Sequence, residues 1–350
     1  LTAPRPLPTI DRPHDLSRGF ETDRGRGRKL HARRRPREEP QRMDTTAALL
    51  TVLGLTLFES ITSIDNAIIN AEVLATMQAR ARRWFLTWGI LIAVFGVRGL
   101  MPWLIVWVMA PGLDPWEALT ATFTDDPAAQ QAIQSSAPVL LMGGGVFFVF
   151  LFCNWLFQEP KSFGLPGEDF FARQGAWFYA VVSVALTAVV WYALKMDAML
   201  AFGAVVGSTA FFITHGFKRF AESQEERLLH DRTSMTDIAK ILYLEVIDAT
   251  FSIDGVVGAF AFTLSVPLIL IGNGVGAIVV RQLTIYNLEK IKRYVYLKNG
   301  AMYSVLVLGL VMLGHGFGVH VPEWLAPMCT IVIVGFFFWK SWRHARTLPA

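Results

Sequence analysis

Apolar and polar positions along this chain alternate on the scale of whole helices. From about residue 45 onward, predominantly apolar runs of roughly 20 residues recur between short charged or Gly/Pro-bearing stretches. A run of that length crosses the ~30 Å hydrocarbon core of a bilayer as one helix. The pattern predicts about nine spans, near 46–76, 84–109, 138–157, 177–195, 199–217, 238–263, 266–286, 301–319 and 325–342. The expected fold class is therefore an all-α polytopic membrane protein, with the lipid bilayer as its first partner.

Composition agrees. The chain is 53% hydrophobic, with 26 Phe and 11 Trp, and only 17% of its residues are charged, against roughly 25% in an average soluble domain. The net charge of +4 is small; its placement says more. Arg80, Arg82 and Arg83 follow the first span, and Lys218, Arg219, Arg227 and Arg232 the fifth. Lys290, Lys292, Arg293 and Lys298 follow the seventh, and Lys340, Arg343 and Arg346 the ninth. The connection at 110–137 carries Asp114, Glu117, Asp125 and Asp126 and no base, while the charges of the 158–176 loop nearly balance. Basic loops stay in the cytoplasm, which predicts a cell (inner or plasma) membrane protein with its N-terminus outside and its C-terminus cytoplasmic.

Residues 1–42 break the pattern. They hold 11 Arg and one Lys among many prolines with no apolar periodicity, a disordered composition, and the orientation above places them on the side that basic segments avoid. The expectation is a disordered Arg/Pro-rich extension produced by a mis-assigned start, with Met43 as the native first residue and no nucleic-acid partner.

The chemistry concentrates in one stretch. Leu55–Glu72 reads LTLFESITSIDNAIINAE and puts Glu59, Asp65, Asn66, Asn70 and Glu72 inside a membrane-length apolar run. Glu245–Val257 reads EVIDATFSIDGVV and repeats the pattern, with Asp248 ahead of Ser252-Ile253-Asp254 as Glu59 stands ahead of Ser63-Ile64-Asp65. An ionised Asp at a helix centre costs roughly 2.5–3.5 kcal/mol on insertion scales, so two such groups in matching contexts point to a cation site. The copies fall on spans one and six, an odd number of crossings apart, and so run in opposite directions. Two inverted-topology repeats follow, a common transporter architecture: a first repeat at 43–157, connecting helices and a cytoplasmic loop at 158–237, and a second repeat at 238–350.

On a continuous helix Glu245, Asp248 and Ser252 share a face, as do Asp65 and Glu72. Glu59 and Asp65 are six apart and stand about 120° away from each other. Their convergence calls for local unwinding near Ser-Ile-Asp, which Gly255 and Gly258 would ease in the second copy. Arg98 and Arg281 each lie on the span after a motif span and need partners at that depth; the motif carboxylates are the nearest candidates. Glu59, Asp65, Asp248 and Asp254 set against these two guanidiniums leave two negative charges, which a divalent cation or two protons would neutralise. Carboxylate, hydroxyl and amide oxygens suit Mg²⁺, Mn²⁺ or Ca²⁺. Cys153 and Cys329 form no metal-binding motif, His215, His315 and His320 lie near span ends, and HExxH and GxSxG are both absent, so no enzyme is expected.

The paired segments SITSIDNA (60–67) and ATFSIDGV (249–256) resemble the TerC family of integral membrane proteins, including its longer uncharacterised branch. The resemblance covers most of the chain after about residue 45. It implies kinship with the superfamily of lysine and manganese exporters, whose members are associated with manganese efflux, tellurium resistance and metal supply to exported proteins. Asp65, Asn66 and Asp254 match the family's intramembrane motifs, and Glu59 and Asp248 its upstream acids; Gly255 departs from a position that often carries a small polar residue. The expectation is export of a divalent cation, with Mn²⁺ as substrate ion and no prosthetic group, by proton-coupled alternating access. Its metal ligands are Glu59, Asp65, Asn66, Asp248 and Asp254, with Ser63, Glu72, Glu245 and Ser252 as further candidates and Arg98 and Arg281 as charge partners. The alternative is a TerC-type membrane scaffold that binds stress-response partners during metal or tellurite challenge.

Overall fold

A bilayer-length apolar run must satisfy its backbone hydrogen bonds internally, and the computed structural model builds this chain from helices. It describes residues 45–89, 91–92, 96, 98–109, 114–123, 127–161, 163–230, 236–291 and 293–346; the extension at 1–42 lies outside them. Among the described residues no strand occurs. In chain order the helices are α1 (Thr45–Thr62), α2 (Ile64–Ala75), α3 (Ala79–Trp84, running into a π-helical turn at Phe85–Gly89), α4 (Arg98–Met109) and α5 (Pro115–Phe123). There follow α6 (Pro127–Gln158), α7 (Glu168–Ala172), α8 (Trp177–Ala193), α9 (Ala198–His230), α10 (Asp237–Ala259), α11 (Val266–Ile291), α12 (Leu297–Gly316) and α13 (Leu325–Ala345).

Among the described residues, five stretches are long and apolar enough to cross a membrane: Thr45–Thr62, Gln134–Gln158, Ala198–Phe220, Leu297–Gly316 and Leu325–Ala345. α8 and the Val266–Gln282 part of α11 are apolar but shorter. α10 fills the expected 238–263 span, and its Asp237, Lys240, Glu245, Asp248 and Asp254 keep it out of the apolar set. Part of the expected 84–109 span falls outside the described residues. The stretch at 110–137, expected as a connection, contains α5 and the start of α6.

α6 packs on α9 and α12 through small residues. A Cβ at Gly203 would fall 2.6 Å from the Val139 carbonyl oxygen, and one at Gly207 would overlap the Gly143 backbone. Phe147 and Phe150 of α6 then meet Phe211 of α9 edge-on, at 6.0 and 5.7 Å between ring centres. α1 lies on α11 in the same manner: Gly272 faces Leu55, Gly276 faces Glu59, and the Thr56 hydroxyl donates to the Gly272 carbonyl at 3.2 Å.

The two motif helices differ. α1 and α2 are separated by Ser63 alone (φ −89°, ψ 1°), and helical bonds still bridge it, Ser63 N to Glu59 O at 3.1 Å and Ala67 N to Ser63 O at 2.9 Å. α10 is unbroken from Asp237 to Ala259, so the unwinding expected around Ser252-Ile253-Asp254 does not occur. Gly255 and Gly258 serve close packing instead, against Glu59 and against Phe58 and Phe148.

The 158–176 loop is pinned to α12. Glu168, 3% exposed, accepts from Asn299 Nδ2 and Tyr303 Oη, both at 2.8 Å. Lys161 donates to the Trp155 carbonyl at 2.5 Å and lies 3.4 Å over its ring.

Candidate functional site

Ser63 at the head of α2 and Asn66, Ala67, Asn70 and Leu74 along it share one face of the helix, and all five line a cavity of about 70 Å³. Arg98 of α4, Glu245 and Asp248 of α10, Arg281 of α11 and Gly89 at the end of the π-helical turn complete its polar and close-packed walls.

One guanidinium organises the interior. Arg98 Nη2 lies 2.9 Å and Nε 3.0 Å from Glu59 Oε1, and Nη1 lies 3.3 Å from Asp248 Oδ2. Ser63 Oγ donates to the same Glu59 Oε1 at 2.7 Å. Asn66 Nδ2 donates to Asp248 Oδ1. Arg98 is 4% exposed, Glu59 1% and Asn66 3%, so these are low-dielectric ion pairs in which each charge depends on its partners.

The acceptors are used unevenly. All the donors reaching Glu59 converge on Oε1, while its Oε2 is buried with no hydrogen-bond partner among the described residues. Asn66 Oδ1, Asn70 Oδ1, Glu245 Oε1 and Arg281 Nε share that condition. Glycine makes the room: a Cβ at Gly255 would overlap Glu59 Oε2, and one at Gly89 would overlap Glu245 Oε1. Buried polar atoms are ordinarily paired, so four orphaned oxygens in and beside one small cavity mark a place where a further positive group fits. All four are hard donors of the kind Mg²⁺, Mn²⁺ and Ca²⁺ take.

Among the expected site residues, Glu59, Ser63, Asn66, Glu245, Asp248, Arg98 and Arg281 come together here. Ser252 is buried, but its hydroxyl donates to the Asp248 carbonyl at 2.5 Å, within its own helix. Asp254 is half-buried on α10 and is not a cavity wall. Asp65 and Glu72 lie on α2, with side chains outside the described residues. Among the described residues no group of three or more Asp, Glu, His or Cys side chains is arranged to hold a metal; Arg98 stands between the acids. His215 stacks on Phe211 at 5.5 Å, and His315 bonds the Val321 carbonyl at 2.9 Å, which are packing roles.

Asn70 and Gly255 have site roles that the sequence reading did not give them. The signal for Asn70 is its four-residue step from Asn66; Gly255, which lacks the small polar side chain common at its position, makes space for the Glu59 carboxylate. Asn273 on α11, 1% exposed with its amide unpaired among the described residues, had no such signal.

Residues 64–348 match the family model described as "Protein of unknown function (DUF475)". No curated protein matches the chain, and no solved structure matches it.

Proposed function

The chain belongs to the DUF475 family, whose description assigns no activity, and we propose that it is a carrier for a divalent metal cation. The observation that carries this reading is Arg98, buried between Glu59 and Asp248. A positive group already occupies the space between two carboxylates brought together from distant parts of the chain. It offsets one of their two negative charges, and an arriving cation takes its place.

The exchange is energetically demanding. Withdrawing one partner from a buried ion pair without replacement costs about 3–5 kcal/mol, so the incoming ion must bind as the guanidinium leaves. The ion's ligands are Glu59 and Asp248, the amide oxygens of Asn66 and Asn70, and Glu245, with Asp65 and Asp254 joining as the helices move. A set made only of oxygen disfavours soft metals. Mn²⁺ is the proposed substrate, supported by the resemblance of SITSIDNA and ATFSIDGV to the TerC family. Carboxylates that release a cation into a dry site take up protons, which couples the return step to the proton gradient.

The proposed cycle is export by alternating access of two inverted repeats, 43–157 and 238–350, across nine spans with the C-terminus cytoplasmic. Mn²⁺ flux into inverted membrane vesicles tests it. Asp248→Asn, Asp65→Asn and Asp254→Asn are expected to lose most of the flux, and wild-type rates in all three would overturn the carrier.

A further inference from the structure

The C-terminal end of α2 is tied down by two cations. Arg82 donates from Nε to the Leu74 carbonyl at 3.0 Å and from Nη2 to the Met77 carbonyl at 3.2 Å. Lys240 of α10 reaches across 164 positions of sequence to the Thr76 carbonyl, with Nζ at 3.2 Å. Lys240 is 8% exposed. A lysine that deep needs a strong acceptor, and the last carbonyls of a helix, unpaired and at the negative end of its dipole, provide one.

Beneath these contacts Val73, Leu74, Met77, Phe85 and Leu244 form an apolar cluster separate from the main core, each 8% exposed or less. Leu74 and Phe85 are also walls of the ion cavity. The same side chains therefore pack the corner and line the site. α3 is entered through Gln78 in an extended conformation (φ −63°, ψ 149°) and runs into the π-helical turn at Phe85–Gly89, so regular α-helix stops on both sides of it.

We infer that the α2–α3 corner is the gate over the cavity and that Lys240 is its latch. The apolar cluster excludes water while the gate is shut. Losing the Lys240–Thr76 bond frees the end of α2 from α10 and lets the corner lift. The carrier reading supplies what the gate admits; the gate itself rests on these contacts alone. Arg80, Arg82 and Arg83 put the corner on the cytoplasmic face by the positive-inside rule.

Ala67 provides the reporter, since it lines the cavity and is 6% exposed. With Cys153→Ser and Cys329→Ser as background, Ala67→Cys is labelled by a charged, membrane-impermeant thiosulfonate in inverted vesicles. A cavity of about 70 Å³ is too small for that reagent, so the rate reports further opening. Lys240→Met is expected to raise the rate about tenfold or more, the range of a coupling carried by a few contacts. Leu244→Ala, which thins the seal without touching a charge, should do the same and replaces Lys240→Met if that variant does not fold. Unaltered labelling in the folded variants, or acceleration only in right-side-out vesicles, overturns the gate. Mn²⁺ flux on the same membranes separates the two readings. Accelerated labelling without wild-type flux would keep the gate and overturn the carrier; normal flux with unaltered labelling would do the reverse.

Discussion

Arg98 and Glu59 meet with Nη2 and Nε both on Oε1, at 2.9 and 3.0 Å, leaving Glu59 Oε2 beside the space a Gly255 Cβ would take, with no hydrogen bond to the described residues. The pair joins α4 to α1, and through Arg98 Nη1 to Asp248 it reaches α10 as well. A single side chain thus holds three helices around the cavity.

Removing that side chain should be costly unless a cation replaces it. Arg98→Met leaves Glu59 and Asp248 buried without their counter-charge, a loss of about 3–5 kcal/mol. Thermal unfolding in detergent is expected to show a large drop in Tm, partly recovered by adding Glu59→Gln. Mn²⁺ at about 100 times its Kd would return roughly 2.7 kcal/mol, and its stabilising effect should be larger in Arg98→Met than in wild type.

Gly255→Ala probes the space kept for Glu59. The added methyl would clash with Oε2, and overpacking of this kind costs about 1–3 kcal/mol. Mn²⁺ flux should fall to the level of Glu59→Gln while the protein still elutes as a folded species.

Helix packing gives a control pair. A Cβ at Gly207 would run into the Gly143 backbone, whereas one at Gly335 meets nothing within 4 Å. Gly207→Ala should lose about 1–3 kcal/mol, because a backbone cannot step aside as a side chain can. Gly335→Ala should gain up to about 1 kcal/mol from helix propensity. Unfolding midpoints in one detergent compare them directly.

The Glu168 carboxylate anchors the 158–176 loop through Asn299 and Tyr303. Glu168→Ala leaves the buried Asn299 amide and the half-buried Tyr303 hydroxyl without this acceptor and should cost about 1.5–3 kcal/mol. Trypsin cleavage at Lys161 and Arg173 is expected to accelerate relative to wild type.

Lys161 should titrate well below an ordinary lysine. Burial pushes its ammonium down to about 8, against the opposing pull of Glu159 and Glu168. Half-maximal reactivity toward an amine-selective acylating reagent is expected near pH 8 at this residue. The folded chain then binds fewer protons than the unfolded one between about pH 8 and 10.5, so the Lys161 contribution to stability increases with pH across that window and is constant below it.

Much of this was written in the order of residues. Apolar runs longer than a bilayer is thick leave the backbone no partners but its own, which makes helices unavoidable, and acids inside those runs mark themselves by their cost. Glu59, Asp248, Asn66, Arg98 and Arg281 were all legible on that ground.

Pairing was a different matter. Arg98 chooses Glu59 and Asp248, 39 and 150 positions away, and no local periodicity encodes which carboxylate a distant guanidinium will reach. α10 stays straight where its glycines invited a bend, because those glycines are consumed by contact with Glu59, Phe58 and Phe148. Asp254 is consequently held off the cavity wall, six residues and about 120° around from Asp248. The chain by itself determined that it would be helical and would bury charge in apolar helices. Only the packing of those helices decided which charges meet, since a helix face acquires a partner from its neighbours and not from its own sequence.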